Sequence, residues 1–265
     1  MSAGTAVHRD VRDGVLTLRL DRQAKRNALD RASIEHLVAL LEEASTDDSL
    51  RAVHLTAAGA DFCAGSDWVA SNAGGGRPRP ASLVRRLPLQ SHRLIELLLT
   101  LQLPVVATVR GVAAGLGCQL ALAADFTVAA EDAVFWAPFV RRGFTPDSGA
   151  SWLLPRLVGL ARARRMLLLG EKVSGATAAG WGLIHEAVPA ADLDARALEL
   201  VASLGRGPTV ALGLTKQGLL RSAEVPLARA LADEAFGLEL ASRTADFREG
   251  LAAFADRRDP DFTGR

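Results

Sequence analysis

Residues 104–125 set an apolar strand (104–109), a Gly/Ala turn after Gly111 and a helix (118–124) in immediate succession, and no other segment restricts the fold as tightly. A strand that runs through small residues into a helix belongs to a layered α/β chain. The flanking sequence keeps the same rhythm. Leu16, Leu18 and Leu20 alternate with Thr17 and Arg19, the period of a half-buried strand. Asp30 stands where it can cap a helix bearing Ile34, Leu37, Val38 and Leu41 on one face. Further strands are expected over 52–56 and 126–129, and one long helix over about 82–101. The β-then-α order argues for right-handed crossovers.

The second half reads differently. Helices are expected over 161–169, 176–181, 193–204, 209–221, 226–241 and 245–255, and only 183–188 reads as a strand. Gly205, Gly207 and Pro208 punctuate the chain before the last three helices, which divides it into an α/β core over 1–205 and a helical region over 206–265. Residues 72–80 (NAGGGRPRP) have the composition of a flexible insertion, either a lid or a surface loop.

Bulk properties narrow the partners. The net charge of +1 gives no electrostatic footprint for nucleic acid or a membrane surface. The most apolar stretch, 105–123, is broken by Arg110, Gln119 and its glycines, so no run reaches the roughly 18–20 apolar residues of a membrane span. The opening MSAGTAVHRDVRDG lacks the apolar region of a secretory signal. Cys63 and Cys118 are too few for a disulfide framework or zinc site and read as reduced, buried thiols of a cytoplasmic protein. No metal cluster is indicated.

Two loops carry the chemistry. Ala60-Asp61-Phe62-Cys63-Ala64-Gly65-Ser66-Asp67 follows the strand ending near Thr56, and its small residues allow close approach of backbone to a ligand. Gly111-Val112-Ala113-Ala114-Gly115-Leu116-Gly117-Cys118-Gln119-Leu120 leads into a helix start, where free N–H groups and the helix dipole favour negative charge. Two such loops can aim two amides at one oxygen, as in an oxyanion hole.

The ordered pair resembles the crotonase (enoyl-CoA hydratase/isomerase) family. Its first loop is similar to F-x-A-G-A-D and its second to G-x-A-x-G-G-G-x-x-L-x-x-x-x-D. Further similarity lies in Arg26-Asn27-Ala28-Leu29, Pro104-Val105-Val106-Ala107, Pro155-Arg156-Leu157-Val158-Gly159, Ala179-Gly180-Trp181-Gly182-Leu183-Ile184 and residues 254–262, so the resemblance covers essentially the whole chain. It implies a crotonase-like α/β spiral of ββα units with a C-terminal helical trimerisation region. It also implies a thioester substrate of coenzyme A whose carbonyl oxygen is bound by the N–H groups of Ser66 and Leu116. Those positions usually hold alanine and glycine, but a backbone donor survives the change, and Leu116 makes the floor bulkier.

Hydratases of this family use two glutamates, which would fall at Gln119 and Phe139 here. Neither side chain exchanges protons near neutral pH, which argues against two-glutamate hydration. The remaining carboxylate is Asp147, in Gly143-Phe144-Thr145-Pro146-Asp147-Ser148-Gly149. By residue type it also suits a helix N-cap. By resemblance it is the working carboxylate of isomerases acting on unsaturated and ring-epoxide phenylacetyl-CoA compounds, which the stretch 136–156 resembles most. An apolar pocket of Trp136, Phe139 and Phe144 would raise its pKa.

His92 stands twelve residues before Pro104, the spacing of the water-activating histidine in 4-chlorobenzoyl-CoA dehalogenases, although Phe139 replaces the tryptophan those enzymes carry. Asp67, Trp68, Ala64, Gly115 and Gln119 flank the same site, with Asp67 equally suited to a turn. The resemblance assigns coenzyme contacts to Arg26, Ala64, Phe254 and Arg257, the last two from a neighbouring subunit of a homotrimer or dimer of trimers, with no cofactor beyond the coenzyme A of the substrate itself.

Three other readings compete. Gly115-Leu116-Gly117 starts a dinucleotide fingerprint whose third glycine is replaced by Leu120. Ser66, His92 and Asp147 could form a hydrolase triad, although Gly-x-Ser-x-Gly is absent. The missing glutamates also fit a non-catalytic acyl-CoA-binding protein.

Overall fold

The computed structural model describes residues 6–67, 79 and 81–265. The chain opens with a hairpin, β1 (Val7–Arg12) and β2 (Val15–Leu20), closed by Asp13 and Gly14 at φ 50° and 75°. Positive φ at both turn positions suits Asp-Gly and matches the twist of the strands. β1 was not evident from periodicity because five of its six residues are exposed on this sheet edge.

β2 continues into a parallel array with β3 (Ala52–Ala57), β4 (Val105–Val109), β6 (Phe126–Ala130) and β9 (Glu186–Val188), making a six-stranded sheet of order β1-β2-β3-β4-β6-β9. β4 is buried along its whole length, as expected where both faces of a parallel sheet are covered. A smaller sheet joins β5 (Val112–Ala114), β7 (Val134–Trp136) and β8 (Lys172–Ser174). Isolated parallel bridges Leu29–Ser66 and Cys63–Ala113 extend the same layer. Each turn of the chain thus lays one strand in the large sheet and a short one in the small sheet. This is the crotonase-like ββα spiral, and it stacks the two loops read from the sequence directly on each other.

Among the described residues the helices are α1 (Arg31–Ala44), α2 (Ser82–Arg86), α3 (Ser91–Thr100), α4 (Leu116–Leu122), α5 (Ala150–Leu168), α6 (Gly175–Trp181), α7 (Leu193–Gly205), α8 (Thr209–Ser222), α9 (Leu227–Ala241) and α10 (Ala245–Asp256). Asp30 caps α1 by accepting from the Ser33 N–H at 2.9 Å. The helix expected over 82–101 is interrupted: Leu87–Leu89 forms a 3-10 turn around Pro88, and Gln90 leaves the helical region at φ −127°, ψ −108°. Proline removes a backbone donor and clashes with the preceding turn, which explains the break. The helix expected over 161–169 is the second part of α5, which bends at Gly159 (φ 72°, ψ 167°). The insertion at 72–80, apart from Arg79, lies outside the described residues.

The region over 206–265 does not stand apart from the core at its start. Lys216 of α8 reaches Asp125 Oδ2 at 2.7 Å and the carbonyls of Leu98 and Leu103 at 2.8 and 3.2 Å. A Cβ at Gly213 would lie 2.6 Å from the Gln102 carbonyl oxygen, so the helix seats directly on the end of α3. The last helix leaves Phe254 87% exposed.

Candidate active site

The first loop is held by a turn at its base. Arg26 and Asn27 both take left-handed backbones, φ 51° and 55°. Asn27 is buried, donates to the carbonyls of Ala58 and Asp61 at 2.9 and 2.7 Å, and accepts from the Arg22 N–H at 2.7 Å. The Arg26 carbonyl accepts from Ala64 N–H at 2.9 Å. Arg22 Nη1 bonds Asp67 Oδ2 at 2.8 Å and the Ala28 carbonyl at 3.0 Å. Asp67 is thereby a structural anchor at the end of the loop. The Arg-Asn-Ala-Leu segment is a clamp on residues 58–67, a role that sequence reading did not assign to Asn27 or Arg22.

The second loop lies against the first. Cys63 N–H donates to the Val112 carbonyl and Ala114 N–H to the Cys63 carbonyl, both at 2.9 Å. Gly65 (φ 97°) allows this approach, since a Cβ there would fall 2.7 Å from the Ala114 oxygen and 3.5 Å from the Leu116 nitrogen. Gly115 adopts φ 52°, ψ −122°, a conformation reserved for glycine, and a Cβ on it would meet nothing within 4 Å. Its N–H donates to the Trp136 carbonyl at 2.9 Å.

Neither the Ser66 nor the Leu116 N–H donates to an acceptor among the described residues. Leu116 opens α4, where the first N–H groups of a helix lack partners in any case. Ser66 sits between the two bonds of its parallel bridge: Leu29 donates to Gly65 and Asp67 donates to Leu29, each at 2.8 Å. That alternation turns the Ser66 N–H away from its neighbour strand. Two free amides from adjacent loops can together bind one developing oxyanion.

The cleft at this point is lined by Ala64, Gly65, Ser66, Gly115, Leu116, Pro138, Phe139, Arg142, Phe144 and Asp147. Its far wall is apolar, with Phe139 and Phe144 edge to face at 6.0 Å. Asp147 does not cap a helix with its side chain: α5 begins after Gly149, and the Asp147 backbone carbonyl accepts from Ala150. The carboxyl faces the cleft instead. Burial holds its pKa above the ordinary aspartate range, against the opposing effects of a hydrogen bond from Ser148 and the nearby charge of His92. His92 itself is exposed on the first turn of α3, and Ser66 makes no hydrogen bond to it. The triad geometry is therefore absent.

Other candidate residues fall elsewhere. Trp136 does not line this cleft; its indole N–H donates to the Gly170 carbonyl at 3.0 Å and its ring receives Lys172. Arg26 is exposed and forms a two-point ion pair with Asp61, Nε at 2.6 Å and Nη2 at 3.2 Å. Phe254 and Arg257 lie on and just after α10, both exposed and outside the lining. Trp68 lies outside the described residues. Gln119 is completely buried, and neither amide atom has a hydrogen-bond partner. Arg142 and Pro138 line the cleft without having been singled out, because nothing in their local sequence marks them. Cys63 and Cys118 are buried thiols whose pKa values are pushed up to about 12 by burial, so neither is a nucleophile near neutral pH.

Fold and loops together define a crotonase-type acyl-CoA enzyme. The enoyl-CoA hydratase/isomerase family model matches residues 10–265, and the chain belongs to that family. It is 38% identical over 97% of the length of the 1,2-epoxyphenylacetyl-CoA isomerase of Escherichia coli strain K12, covering 96% of this chain. It is 37% identical to the 2,3-dehydroadipyl-CoA hydratase of the same strain, across 95% of this chain and 96% of the other. The crystal structure of an enoyl-CoA hydratase from Bacillus anthracis superposes with a TM-score of 0.91 at 30% identity, covering 98% of this chain and 100% of that one. Among the described residues, no helix is long and apolar enough to cross a membrane.

Proposed function

We propose that the protein isomerises the double bond of an unsaturated acyl-CoA, with Asp147 as the proton shuttle. The thioester oxygen lies between the N–H groups of Ser66 and Leu116. The Asp147 carboxylate removes a proton from the carbon next to the thioester, electrons move onto the oxygen, and the resulting dienolate is held by the two amides. The same carboxyl returns the proton two carbons further on, so the double bond moves and no atom is gained or lost. The observation that carries this reading is Asp147 itself: a carboxyl raised in pKa by burial, lining one cleft with both free amides. A higher pKa brings a carboxylate closer to the optimum for a base near neutral pH.

Similarity to the 1,2-epoxyphenylacetyl-CoA isomerase supports the choice of isomerisation. Similarity to the 2,3-dehydroadipyl-CoA hydratase supports the second reading, in which Asp147 positions a water that adds to the double bond. Gln119 and Phe139 weigh against two-glutamate hydration. Dehalogenase-like chemistry through Asp147 and His92 and non-catalytic acyl-CoA binding are weaker alternatives. On this proposal no cofactor is needed, since coenzyme A arrives as part of the substrate. Arg26, Ala64, Phe254 and Arg257 contact it, the 206–265 region builds a homotrimer or dimer of trimers, and the enzyme works in the cytoplasm. The exposed Phe254 supports a contact with a neighbour.

Incubating the protein with 3-enoyl-CoA and 2-enoyl-CoA esters in deuterated water, followed by mass spectrometry, separates the readings. Isomerisation gives a product of unchanged composition with deuterium at exchanged carbons, whereas hydration adds one water. Asp147→Asn is expected to abolish isomerisation while leaving acyl-CoA binding in place; full activity in that variant would overturn the assignment.

A further inference from the structure

Arg142 brings a positive charge to the aromatic wall of the cleft. The turn that carries it is tight: the Arg142 N–H donates to the Phe139 carbonyl at 3.0 Å and the Gly143 N–H to the Val140 carbonyl at 3.2 Å. In such a 3-10 turn, side chains three residues apart lie one above the other. Arg142 therefore shares a face with Phe139, and both line the cleft together with Phe144. Its neighbour Arg141 goes elsewhere and packs on Gly170, where an added Cβ would meet the Arg141 Cγ at 2.7 Å. Among the described residues, the Arg142 guanidinium makes no ion pair and no hydrogen bond. Asp147, in the same cleft, feels the charge of His92 rather than that of Arg142. The guanidinium thus stands clear of the carboxyl beside the reacting carbons, and its charge is left for something that enters the cleft.

We infer that Arg142 is a specificity residue that pairs with a carboxylate at the far end of the acyl group, so that the cleft prefers coenzyme A monoesters of dicarboxylic acids to plain acyl-CoA esters. Arg142 is exposed, so water solvates it in the free protein. An acyl group that fills the cleft displaces part of that water. A hydrocarbon chain gives the guanidinium nothing in return, and a charge desolvated without a partner is costly. A terminal carboxylate accepts two parallel charge-assisted hydrogen bonds from the planar fork. The carboxylate lies beyond the reacting carbons, which are held by the Ser66 and Leu116 amides. The inference rests on the acyl-CoA reading of the cleft and does not require that Asp147 be the base.

The test is calorimetric binding of three ester pairs to the full chain: glutaryl-CoA with pentanoyl-CoA, adipyl-CoA with hexanoyl-CoA, and suberyl-CoA with octanoyl-CoA. These saturated esters have no double bond to move, and within a pair only the terminal carboxylate differs. The native protein is expected to bind at least one dicarboxylic ester about tenfold more tightly than its partner, the effect of a charge-assisted hydrogen bond. Arg142→Leu is expected to bring that ratio to one or below. Arg142→Lys keeps the charge but loses the fork, and should retain only part of the ratio. A thermal melt of each variant checks that the exposed turn tolerates the change. A native ratio of one or less in all three pairs overturns the inference. So does a ratio that Arg142→Leu leaves unchanged, including the case in which both esters of a pair weaken alike, the sign of a contact with the coenzyme phosphates instead. Failure of every ester to bind the native protein overturns the acyl-CoA reading itself.

Discussion

Ser148 donates its hydroxyl hydrogen to Asp147 Oδ1 at 3.1 Å while holding a left-handed backbone at φ 51°. The residue is fully buried, so this bond and the strain of the turn belong to one small device at the edge of the cleft. The bond favours the charged carboxylate and opposes the upward push of burial. Isomerase activity that needs the ionised carboxylate is lost as pH falls through its raised pKa, so the acid limb of the kcat/KM profile is expected above the ordinary aspartate range. Ser148→Gly keeps the turn without strain and removes the donor, and should move that limb to higher pH. A limb that stays in place in the variant would show that Ser148 does not tune the base.

Gly65→Ala should damage the pair of donors without unfolding the chain. The new Cβ would meet the Ala114 carbonyl oxygen at 2.7 Å in a backbone already at φ 97°, so the two loops must separate. Loss of one oxyanion donor costs about 3 kcal/mol of transition-state stabilisation. kcat is expected to fall by about a hundredfold, with a much smaller change in the dissociation constant of a saturated acyl-CoA.

Asn27→Ala removes three hydrogen bonds, two that tie the Arg26–Asn27 turn to the first loop and one accepted from the Arg22 N–H. At about 1 kcal/mol each, the loss in unfolding free energy should be about 3 kcal/mol. Urea titration checks this, and kcat should fall as well because the Ser66 loop hangs from that turn.

Lys216→Met breaks the seat of α8 on the core. The Lys216 side chain is only 10% exposed, and its removal takes a partner from Asp125. Leaving the Asp125 carboxylate, 23% exposed, without its cation should cost about 1 kcal/mol. Adding Asp125→Asn should recover part of the loss in thermal melts, because the double variant leaves no unpaired charge there.

His54 gives an acid-sensitivity prediction. It is buried with Nε2 2.7 Å from Thr108 Oγ1, and burial lowers its pKa from 6.5 to about 4. The unfolded chain then binds a proton that the folded chain refuses between those values. Its stabilising contribution is fully present above pH 6.5 and is lost as pH falls toward 4, by about 3 kcal/mol in total. Chemical denaturation from pH 7 to 4 should show that slope, and His54→Gln should flatten it.

Local signals made much of the fold legible. Alternation in β2 and the Asp30 cap act over a few residues, and the backbone obeys them. The Gly/Ala stretch after β4 is not wholly a turn: Val112–Ala114 forms β5, and α4 begins at Leu116. β1 escaped notice because an edge strand carries polar residues on both faces, although its Asp-Gly turn was a readable sign. β7 and β8 escaped because three residues cannot display a period. Pro88 marks the break in the long helix, although the apolar pattern runs on around it.

At the site, the two loops and Asp147 among aromatic residues were legible in the chain, because glycine conformations and helix starts are written in short stretches. The partners that the side chains take follow from packing between distant segments. Arg26 meets Asp61 across 35 residues, the Trp136 indole turns to Gly170, Asp147 faces the cleft rather than capping α5, and Gln119 is left buried with no partner. Those outcomes depend on how the two sheets bring distant segments into register, and hydrogen bonding and desolvation act only once that packing exists.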